Sequence, residues 1–330
     1  MGSGGTGPMG GDSGAGLDLA PLVEITGRMQ AGIEKVIEGK SDVVRLAITV
    51  LLAEGHLLLE DVPGVGKTML SKALAKSMAC TVRRIQFTPD LLPADVTGVS
   101  IYNMETRKFE FRPGGVFANV VIGDEINRAS PKTQSAMLEC MEEQQVTVDG
   151  VTYHLEKPVL VVATQNPVSM EGLYALPEAQ LDRFMARSAM GYPVASAELA
   201  MLDTHTTTNP LEALQPVCDA EQIRSLVSLT SSVHVSDAVR RYAVALSTAT
   251  RQSRDLKLGA SPRATLHLIR ASKAAAALEG RGYVIPDDLT ALAPAVLTHR
   301  LIPTIEATSA GRTSASILAD LVARVPVDAN

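Results

Sequence analysis

The chain has 330 residues, more than one compact core normally organises, so two domains are expected. Hydrophobic residues make up 46% and charged residues 20% of the sequence, which excludes a disordered chain, a collagen-like repeat and a disulfide scaffold. Thirty Lys and Arg against 36 Asp and Glu give a net charge of −6, which excludes a whole-protein basic field for nucleic acid but allows a local basic patch. The longest predominantly apolar run, residues 46–53, has eight residues against the roughly 20 of a membrane-spanning helix.

The glycine-rich start and the cysteines indicate where the protein works. Residues 1–16 contain eight of the 25 glycines and are predicted to be a disordered leader outside the fold. They lack the apolar segment of a signal peptide, which favours a cytoplasmic protein. Cys80, Cys140 and Cys218 lie far apart and have no C-x-x-C spacing. Each is predicted to be a buried small residue in a reducing compartment, and no structural metal site is expected.

Alternating helix and strand patterns predict an α/β domain over residues 17–194. Residues 42–54 place apolar side chains on one face of a helix, and a second helix is predicted over residues 67–78. Strands that are apolar on both faces and separated by helices are typical of a parallel sheet. Such strands are predicted at residues 56–60, 120–123 and 159–163.

Two predicted β-hairpins interrupt this alternation, at residues 101–111 and 145–155. The second turns at Asp149-Gly150, a dipeptide favoured by type I′ turns, and the first turns near Glu105 and Thr106. Between them, Ser130-Pro131 is typical of a helix start. The predicted apolar face of that helix consists of Ala136, Met137, Cys140 and Met141.

Residues 195–330 lack strand patterns and are predicted to form a small all-helical domain. Helix starts are predicted at Asp219, with Gln222 three residues later, at Ser236 and at Ser261-Pro262. The helix after Ser261 is predicted to carry an apolar stripe made of Leu266, Ile269, Lys273 and Ala277.

The segment DVPGVGKT, residues 61–68, stands between a predicted strand and a predicted helix and is the strongest signal for function. A glycine-rich turn at a helix start exposes backbone N–H groups that bind phosphate. Lys67 is expected to contact the β- and γ-phosphates, and Thr68 to bind Mg²⁺. Asp61 stands where this pattern usually has glycine, but aspartate tolerates left-handed backbone angles, so the loop is still expected to form. The alternative is a plain turn with a solvated lysine.

Polar side chains follow two of the predicted apolar strands. Asp124 is expected to hold the Mg²⁺ shell, and Glu125 to position water for attack on the γ-phosphate. Asn166 is expected to hold the same water from the next strand, because ligands bind at the carboxyl ends of parallel strands. Acids commonly follow buried strands, however, and an Asn-Pro pair is equally typical of a turn. Each pattern by itself therefore leaves a structural alternative open.

Five segments together resemble the MoxR family of AAA+ ATPases, namely DVPGVGKT, GDEINRASPKTQSAMLECMEEQQVTVDG, ATQNP, LPEAQLDRF and GASPRATLHLIRASKAAAALEGR. The resemblance covers about residues 20–325, and residues 124–150 are highly diagnostic. It implies an α/β P-loop domain with a parallel sheet and hairpin inserts, followed by a helical lid. The hairpins correspond to the helix-2 insert and the pre-sensor-1 hairpin shared with magnesium-chelatase ATPase subunits and replicative helicases.

The resemblance also implies roles for individual residues. Asp124 and Glu125 match the Walker B pair, with Asp124 holding Mg²⁺ mostly through water, and Asn166 takes the sensor 1 position. Arg183 matches the arginine finger that reaches the neighbouring subunit's nucleotide, and Arg263 matches sensor 2. Nucleotide contacts are implied for Ile37 and Gly39 near the adenine and for the Walker A residues Pro63, Gly64, Val65, Gly66, Lys67, Thr68 and Met69.

Sequence spacing supports the two arginine roles independently. Arg183 follows Asp182, so an internal salt bridge is the alternative to a finger role. Arg263 lies in the first turn of a predicted helix, where a cation opposes the helix dipole unless an anion, such as a nucleotide phosphate, is supplied from outside. Lys67 and Arg263 are therefore expected to serve the same phosphates, which leaves Arg183 to act on a neighbour.

The predicted function is ATP hydrolysis, with ATP and Mg²⁺ as cofactors, coupled to the remodelling or maturation of a protein partner. The resemblance implies a homo-oligomeric ring, expected to be a hexamer. The expected partner is a von Willebrand factor A domain protein or another protein client, and neither nucleic acid nor a membrane span is expected.

Two alternative functions remain open at this point. One is a nucleic-acid motor, against which the hairpins argue, because residues 145–154 hold no Lys or Arg and residues 102–111 hold only Arg107 and Lys108. The other is a non-hydrolysing nucleotide-binding scaffold, against which the intact Glu125 and Asn166 argue.

Overall fold

The computed structural model describes residues 17–62, 64–166, 174–192, 198 and 210–327. The predicted leader, Pro63 and the predicted domain boundary between residues 194 and 195 lie outside the described residues. Within the described ranges, no helix is both long enough and apolar enough to cross a membrane.

A five-stranded, fully parallel sheet lies at the centre of the first part of the chain, beside two antiparallel hairpins. The strands described before residue 193 are β1 (Leu57–Glu60), β2 (Val82–Gln86), β3 (Gly98–Asn103), β4 (Lys108–Pro113), β5 (Val120–Asp124), β6 (Gln145–Val148), β7 (Val151–His154), β8 (Leu160–Gln165) and β9 (Ala186–Ser188). The order in the parallel sheet is β2-β5-β8-β1-β9, and the hairpins pair β3 with β4 and β6 with β7.

The predicted parallel sheet is confirmed, and its three predicted strands are the central ones, β5, β8 and β1. The sequence patterns do not predict the two edge strands. Val82, Arg83 and Arg84 of β2 are exposed, so that strand lacks a continuous apolar run. Strand β9 has only three residues, which is too short for a periodic pattern.

Both faces of the sheet are buried, as the apolar strands require. Leu57 and Leu59 of β1 join one cluster of buried side chains, and Leu58 joins the other. The first cluster includes side chains of α1, α2 and α3, and the second includes side chains of α5. The helices of this part are α1 (Ala20–Glu34), α2 (Ser41–Leu52), α3 (Lys67–Ser77), α4 (Pro93–Thr97), α5 (Pro131–Glu143) and α6 (Glu178–Leu181), with a 3₁₀ turn at Ile126–Arg128.

The predicted hairpins are confirmed at both inserts. Asp149 and Gly150 adopt positive φ angles of 50° and 77°, as a type I′ turn requires. The ring of Phe111 on β4 stacks on Tyr153 of β7 with 3.8 Å between centroids. The two hairpins therefore contact one another through aromatic side chains.

The predicted helical lid is confirmed from residue 210 onward. Asp219 and Gln222 exchange side chain to backbone hydrogen bonds of 2.9 and 3.0 Å, which is the predicted capping box. A short antiparallel pair that the sequence does not predict joins β10 (Leu256–Leu258) to β11 (Ile302–Pro303). The lid helices are α7 (Pro210–Ala213), α8 (Ala220–Ser231), α9 (Asp237–Gln252), α10 (Pro262–Leu278), α11 (Pro286–Leu297), α12 (Ile305–Ser309) and α13 (Ser314–Arg324), with a 3₁₀ turn at Thr298–Arg300.

Helix α10 starts where predicted, but the apolar stripe assigned to it is buried only in part, at Ala277 and, less completely, at Ile269. Leu266 is 65% exposed, whereas Leu268, Ala271 and Ala274 are buried. Small alanine side chains let α10 pack closely against its neighbours, so the buried side is set by size as well as by hydrophobicity. The lid side chains on this buried side belong to the same cluster as β1, which joins the lid to one face of the sheet.

Candidate nucleotide-binding site

The loop between β1 and α3 has the backbone geometry of a phosphate-binding turn. Gly64 and Gly66 have positive φ angles of 86° and 92°, a conformation that residues with side chains rarely adopt. Helix α3 begins at Lys67, directly after Gly66, so the unpaired N–H groups of its first turn lie beside the loop. Backbone donors and the positive end of the helix dipole therefore meet at a place suited to an anion.

Lys67 lies folded against this loop. Its ammonium group donates hydrogen bonds to the backbone carbonyl oxygens of Asp61 and Val62. Burial lowers the pKa of Lys67, and the carboxylates of Asp61 and Asp124 partly oppose that shift. The side chain is therefore placed over the loop, with carbonyl contacts that a phosphate group can replace.

Asp61 has a different role from the one expected at that position. The described loop residues with positive φ are the glycines, and Asp61 is not among the residues of left-handed backbone. Its carboxylate instead accepts hydrogen bonds from the N–H of Val62, at 2.7 Å, and from the N–H of Gly191. Aspartate fits this position because its carboxylate oxygens accept these two hydrogen bonds. The backbone of Asp61 does not adopt the left-handed angles for which glycine would be required.

Thr68 and Asp124 meet at the bottom of the cleft. The Thr68 hydroxyl donates to the Asp124 carboxylate at 3.2 Å, across 56 residues of sequence. The same carboxylate, which is buried, accepts from Arg84 Nε at 2.6 Å and from the Thr164 hydroxyl at 3.3 Å. A hydroxyl and a carboxylate in contact are hard oxygen donors of the kind that Mg²⁺ takes from proteins, so these residues fit that ion.

Glu125 stands one residue beyond Asp124, in a left-handed conformation with φ 58° and ψ 48°. Its N–H donates to the Thr164 hydroxyl at 3.0 Å, which holds this uncommon backbone in place. Its carboxylate accepts from Gln86 at 3.1 Å and from Arg128 at 2.8 Å. The acid is thus held in place among the residues that line the cleft.

The structure brings six of the predicted site residues into one cleft, and four further residues line it. Arg84 and Gln86 lie two positions apart on β2 and so project to the same side, but the strand itself is too polar to be predicted. Thr164 and Gln165 are the last two residues of β8, directly before Asn166. Their position next to a predicted site residue is the feature of the sequence that could have indicated them. The lining residues are Gly64, Lys67, Thr68, Arg84, Gln86, Asp124, Glu125, Thr164, Gln165 and Asn166.

Ile37 and Gly39 lie before α2, next to the phosphate loop. Gly39 has a φ of 72°, and Ile37 is buried. The Ile37 Cδ1 atom lies 3.8 Å from the position that a Cβ would take at Gly66. Val65 and Met69, the remaining described residues of the predicted loop set, are partly buried against the first cluster.

Arg183 and Arg263 lie side by side in a second cavity, apart from the residues that line the phosphate cleft. Arg183 Nε pairs with the Glu142 carboxylate at 3.1 Å, and Arg263 pairs with the other oxygen of the same carboxylate. The ion pair of Arg183 is therefore with Glu142 on α5. The Asp182–Arg183 pair, the alternative to a finger role, is not formed, and Asp182 pairs with Arg300 at 2.7 Å. Arg263 lies in the first turn of α10, where its positive charge opposes the helix dipole. The Glu142 carboxylate of the same chain compensates for that charge.

His56 fixes the end of α5 that carries Glu142. Its Nε2 donates to the Met141 carbonyl at 3.0 Å, and its Nδ1 accepts from the Val161 N–H at 3.1 Å. This pattern requires the neutral ring, and burial lowers the pKa of His56 to about 4. His56 thus joins β8 to α5 directly beside the paired arginines.

A parallel sheet with a glycine loop between one strand and a helix, acids at the end of another strand two positions away in the sheet, and a helical lid defines the AAA+ class of P-loop ATPases. Residues 56–186 match the model of the ATPase family associated with various cellular activities (AAA), and residues 248–321 match that of the AAA lid domain. The chain belongs to the MoxR family of AAA+ ATPases, as its named relatives show.

These relatives match most of the chain. It is 40% identical to Chaperone MoxR1 of Mycobacterium tuberculosis over 88% of this chain and 78% of the relative. It is 50% identical to the uncharacterized protein YeaC of Bacillus subtilis, over 94% of this chain and 96% of the relative. A crystal structure of a Cytophaga hutchinsonii protein assigned as an ATPase superposes with a TM-score of 0.86 at 36% identity, covering 93% of this chain and 96% of that one.

Proposed function

We propose that this protein hydrolyses ATP in the cleft between the phosphate loop and the ends of β5 and β8. The observation that carries this proposal is the contact between the Thr68 hydroxyl and the Asp124 carboxylate, with Lys67 beside them and Glu125 one residue further. Lys67 would hold the β- and γ-phosphates. Thr68 and Asp124 would hold Mg²⁺, which when bound neutralises phosphate charge.

Glu125 and Asn166 would act on the attacking water in this proposal. Glu125 accepts its proton and Asn166 orients it from the end of β8, while Gln86 and Arg128 keep the Glu125 carboxylate in place. Ile37 and Gly39 would lie beside the adenine, since Ile37 packs next to Gly66. Little covalent chemistry is required of the protein, so the rate depends on positioning and charge.

Two variants test the hydrolytic site. Lys67→Ala is expected to abolish ATP binding in calorimetry with Mg²⁺, because the phosphates lose their direct cation. Glu125→Gln is expected to bind ATP normally and to hydrolyse it at least about tenfold more slowly, the low end for loss of a general base. Unchanged turnover in Glu125→Gln, or unchanged affinity in Lys67→Ala, contradicts the proposal; binding without any wild-type turnover would favour a scaffold.

We propose further that Arg183 and Arg263 act on the nucleotide of a neighbouring subunit in a ring, expected to be a hexamer. Both side chains line a cavity other than the phosphate cleft, and both pair with the carboxylate of Glu142, so the two guanidinium groups already converge on one anion. This differs from the sequence expectation for Arg263, which assigned it to the subunit's own phosphates. Specific activity should then rise with protein concentration as subunits associate.

Mixing two inactive variants tests the action between subunits. Arg183→Ala should keep near-normal ATP binding and lose hydrolysis by roughly 10³-fold, as for other arginine fingers. Mixed with Lys67→Ala, it should regain activity, because one interface then pairs an intact finger with an intact phosphate loop. Mixed oligomers that form but show no recovery would make Arg183 a structural residue.

The proposed cellular role is chaperone-like remodelling or maturation of a protein partner, such as a von Willebrand factor A domain protein, in the cytoplasm. A relative that carries the name chaperone supports the coarser part of this role. The proposed domain limits are residues 17–194 for the ATPase domain and 195–330 for the lid. A pull-down with the Glu125→Gln variant in ATP, analysed by mass spectrometry, would identify the client; recovery of this chain alone would argue against a stable client complex.

A further inference from the structure

Arg300 is one of the most buried charged residues that the structure describes. Only 2% of its side chain is exposed, yet all three guanidinium nitrogens donate hydrogen bonds. Burial lowers the pKa of Arg300, while the Asp182 carboxylate opposes that shift. A fully bonded buried guanidinium holds its acceptors in one geometry, because losing any acceptor would leave a desolvated charge without a partner.

The acceptors of Arg300 include the segment that carries Arg183. Arg300 Nε donates to the Asp182 carboxylate at 2.7 Å, and a terminal nitrogen donates to the Phe184 carbonyl at 2.6 Å. Asp182 and Phe184 are the two neighbours of Arg183 in the chain. The backbone on both sides of Arg183 is therefore bonded to one side chain of the lid.

The same side chain also contacts the helix that carries Arg263. A terminal nitrogen of Arg300 donates to His267 Nδ1 at 2.7 Å, one turn after Arg263 on α10. The Asp182 carboxylate also accepts from the hydroxyl of Ser261, the N-cap residue of α10, at 2.9 Å. The Arg300–Asp182 pair thus joins the start of the lid helix to the finger segment.

We propose that Arg300 and Asp182 form a clamp that holds Arg183 and Arg263 at a fixed separation, so that the two arginines reach the neighbouring nucleotide together. This inference rests on the proposed function, and it makes Arg300 and Asp182 positioning residues. A displacement of about 1 Å can cost a reaction roughly 10²-fold, so loosening the clamp lowers the rate. ATP binding is unaffected, because the phosphate cleft contains neither clamp residue.

Arg300→Lys is the first test, because lysine keeps the charge but cannot bond to both elements in a fixed fork. The turnover number is expected to fall at least tenfold, while the KM for ATP and the ATP affinity stay within twofold of wild type. The turnover number of Asp182→Asn, which keeps one acceptor oxygen, should fall less than that of Asp182→Ala. The double variant Arg183→Ala/Arg300→Lys should lose less activity than the product of the two single losses, since both changes act on Arg183.

A matched control separates positioning from lid stability. Arg281 forms a bidentate ion pair with the buried Asp288 elsewhere in the lid, and Arg281→Lys disturbs it by the same chemical change. Melting temperatures are compared for both lysine variants. If Arg281→Lys slows turnover as much as Arg300→Lys at equal loss of melting temperature, the clamp is only structural and the proposal is overturned.

The remaining outcomes are also distinct. If Arg300→Lys does not fold, the two Asp182 variants are used instead. Wild-type turnover numbers in both Asp182→Asn and Asp182→Ala would contradict the clamp. If Arg183→Ala itself hydrolyses ATP at the wild-type rate, the finger role fails and the proposed function is at fault. If Arg183→Ala is inactive but Arg300→Lys is fully active, only the clamp is wrong.

Discussion

The Asp61 carboxylate accepts a hydrogen bond from the backbone N–H of Gly191, a residue 130 positions further along the chain. Asp61 opens the phosphate loop after β1, and Gly191 follows β9, the edge strand that pairs with β1. The Lys40 ammonium, at the start of α2, donates to the carbonyl of the next residue, Tyr192, at 3.0 Å. The segment at residues 191–192 is thus bonded both to the phosphate loop and to the start of α2, so the loop's position depends on how the chain leaves the sheet.

The Asp61 contact predicts a graded effect on nucleotide affinity. Asp61→Ala should weaken ATP binding by about five- to tenfold, because a hydrogen bond to a charged group contributes about 1.5 kcal/mol and tenfold corresponds to about 1.4 kcal/mol. Asp61→Asn keeps an acceptor oxygen without the charge and should bind ATP more tightly than Asp61→Ala. Calorimetry with both variants checks this. Equal affinity of Asp61→Ala and wild type would show that the contact with Gly191 does not support the loop.

Arg84 predicts a change in the Mg²⁺ requirement. Its guanidinium contacts the Asp124 carboxylate at 2.6 Å, where it would compete with the proposed Mg²⁺ for the same oxygens. Its side chain is 50% exposed, so the pair contributes about 1 kcal/mol at most. Arg84→Ala should therefore lower the Mg²⁺ concentration for half-maximal ATPase activity by about two- to fivefold. Arg83→Ala, next on the strand and facing the opposite side, is the control, and a raised Mg²⁺ requirement in Arg84→Ala would mean that Arg84 binds nucleotide instead.

Three neutral histidines predict acid sensitivity of the fold: His56 and His299 are buried, and His267 is partly buried. Burial lowers the pKa of His56 to about 4 and that of His267 to about 3, and it also lowers that of His299. The unfolded chain therefore binds more protons than the folded one between about pH 6.5 and pH 4, so stability falls as the pH falls through that window. From pH 7 to pH 5, His56 and His267 should each lower the free energy of unfolding by about 2 kcal/mol.

Urea unfolding at pH 7, 6 and 5 measures this effect. The carboxylates with lowered pKa, Asp90 and Glu110, have ordinary pKa values of 3.8 and 4.5 and so change protonation mainly below pH 5. The slope between pH 7 and pH 5 is thus assigned to the histidines. A midpoint that is constant over this range would contradict the neutral hydrogen-bonded state of His56.

The hairpins predict that DNA does not stimulate ATP hydrolysis. The exposed hairpin β3–β4 presents Met104 and Phe109, with Arg107 and Lys108 as its basic residues near the turn. Tracking a phosphate backbone requires more positive charge than this. ATPase rates with single- and double-stranded DNA at low salt should equal the rate without DNA, with Lys67→Ala as the background control. A several-fold stimulation would favour the nucleic-acid motor.

Local patterns in the sequence determined the centre of the sheet and most of the phosphate cleft. Strands β1, β5 and β8 are largely apolar because both of their faces are buried. The glycines of the phosphate loop adopt left-handed backbone angles, and the presence of glycine at those positions is itself a signal in the sequence. Lys67, Asp124 and Asn166 each lie at the carboxyl end of such a strand or just after it. Parallel strands bring those ends to one edge, so residues far apart in the chain could be placed together without coordinates.

Tertiary structure alone decided where the two arginines lie and what surrounds them. Arg183 and Arg263 meet because Glu142, at the end of α5, pairs with both, and no periodicity relates those three positions. Asp182 pairs with Arg300 across 118 residues although its own neighbour is an arginine. An ion pair forms only where packing brings the two side chains within contact distance. When the pair is buried, it is stable only if the hydrogen bonds of both charged groups are satisfied, as they are for Arg300 with Asp182. Sequence spacing carries no information about either quantity.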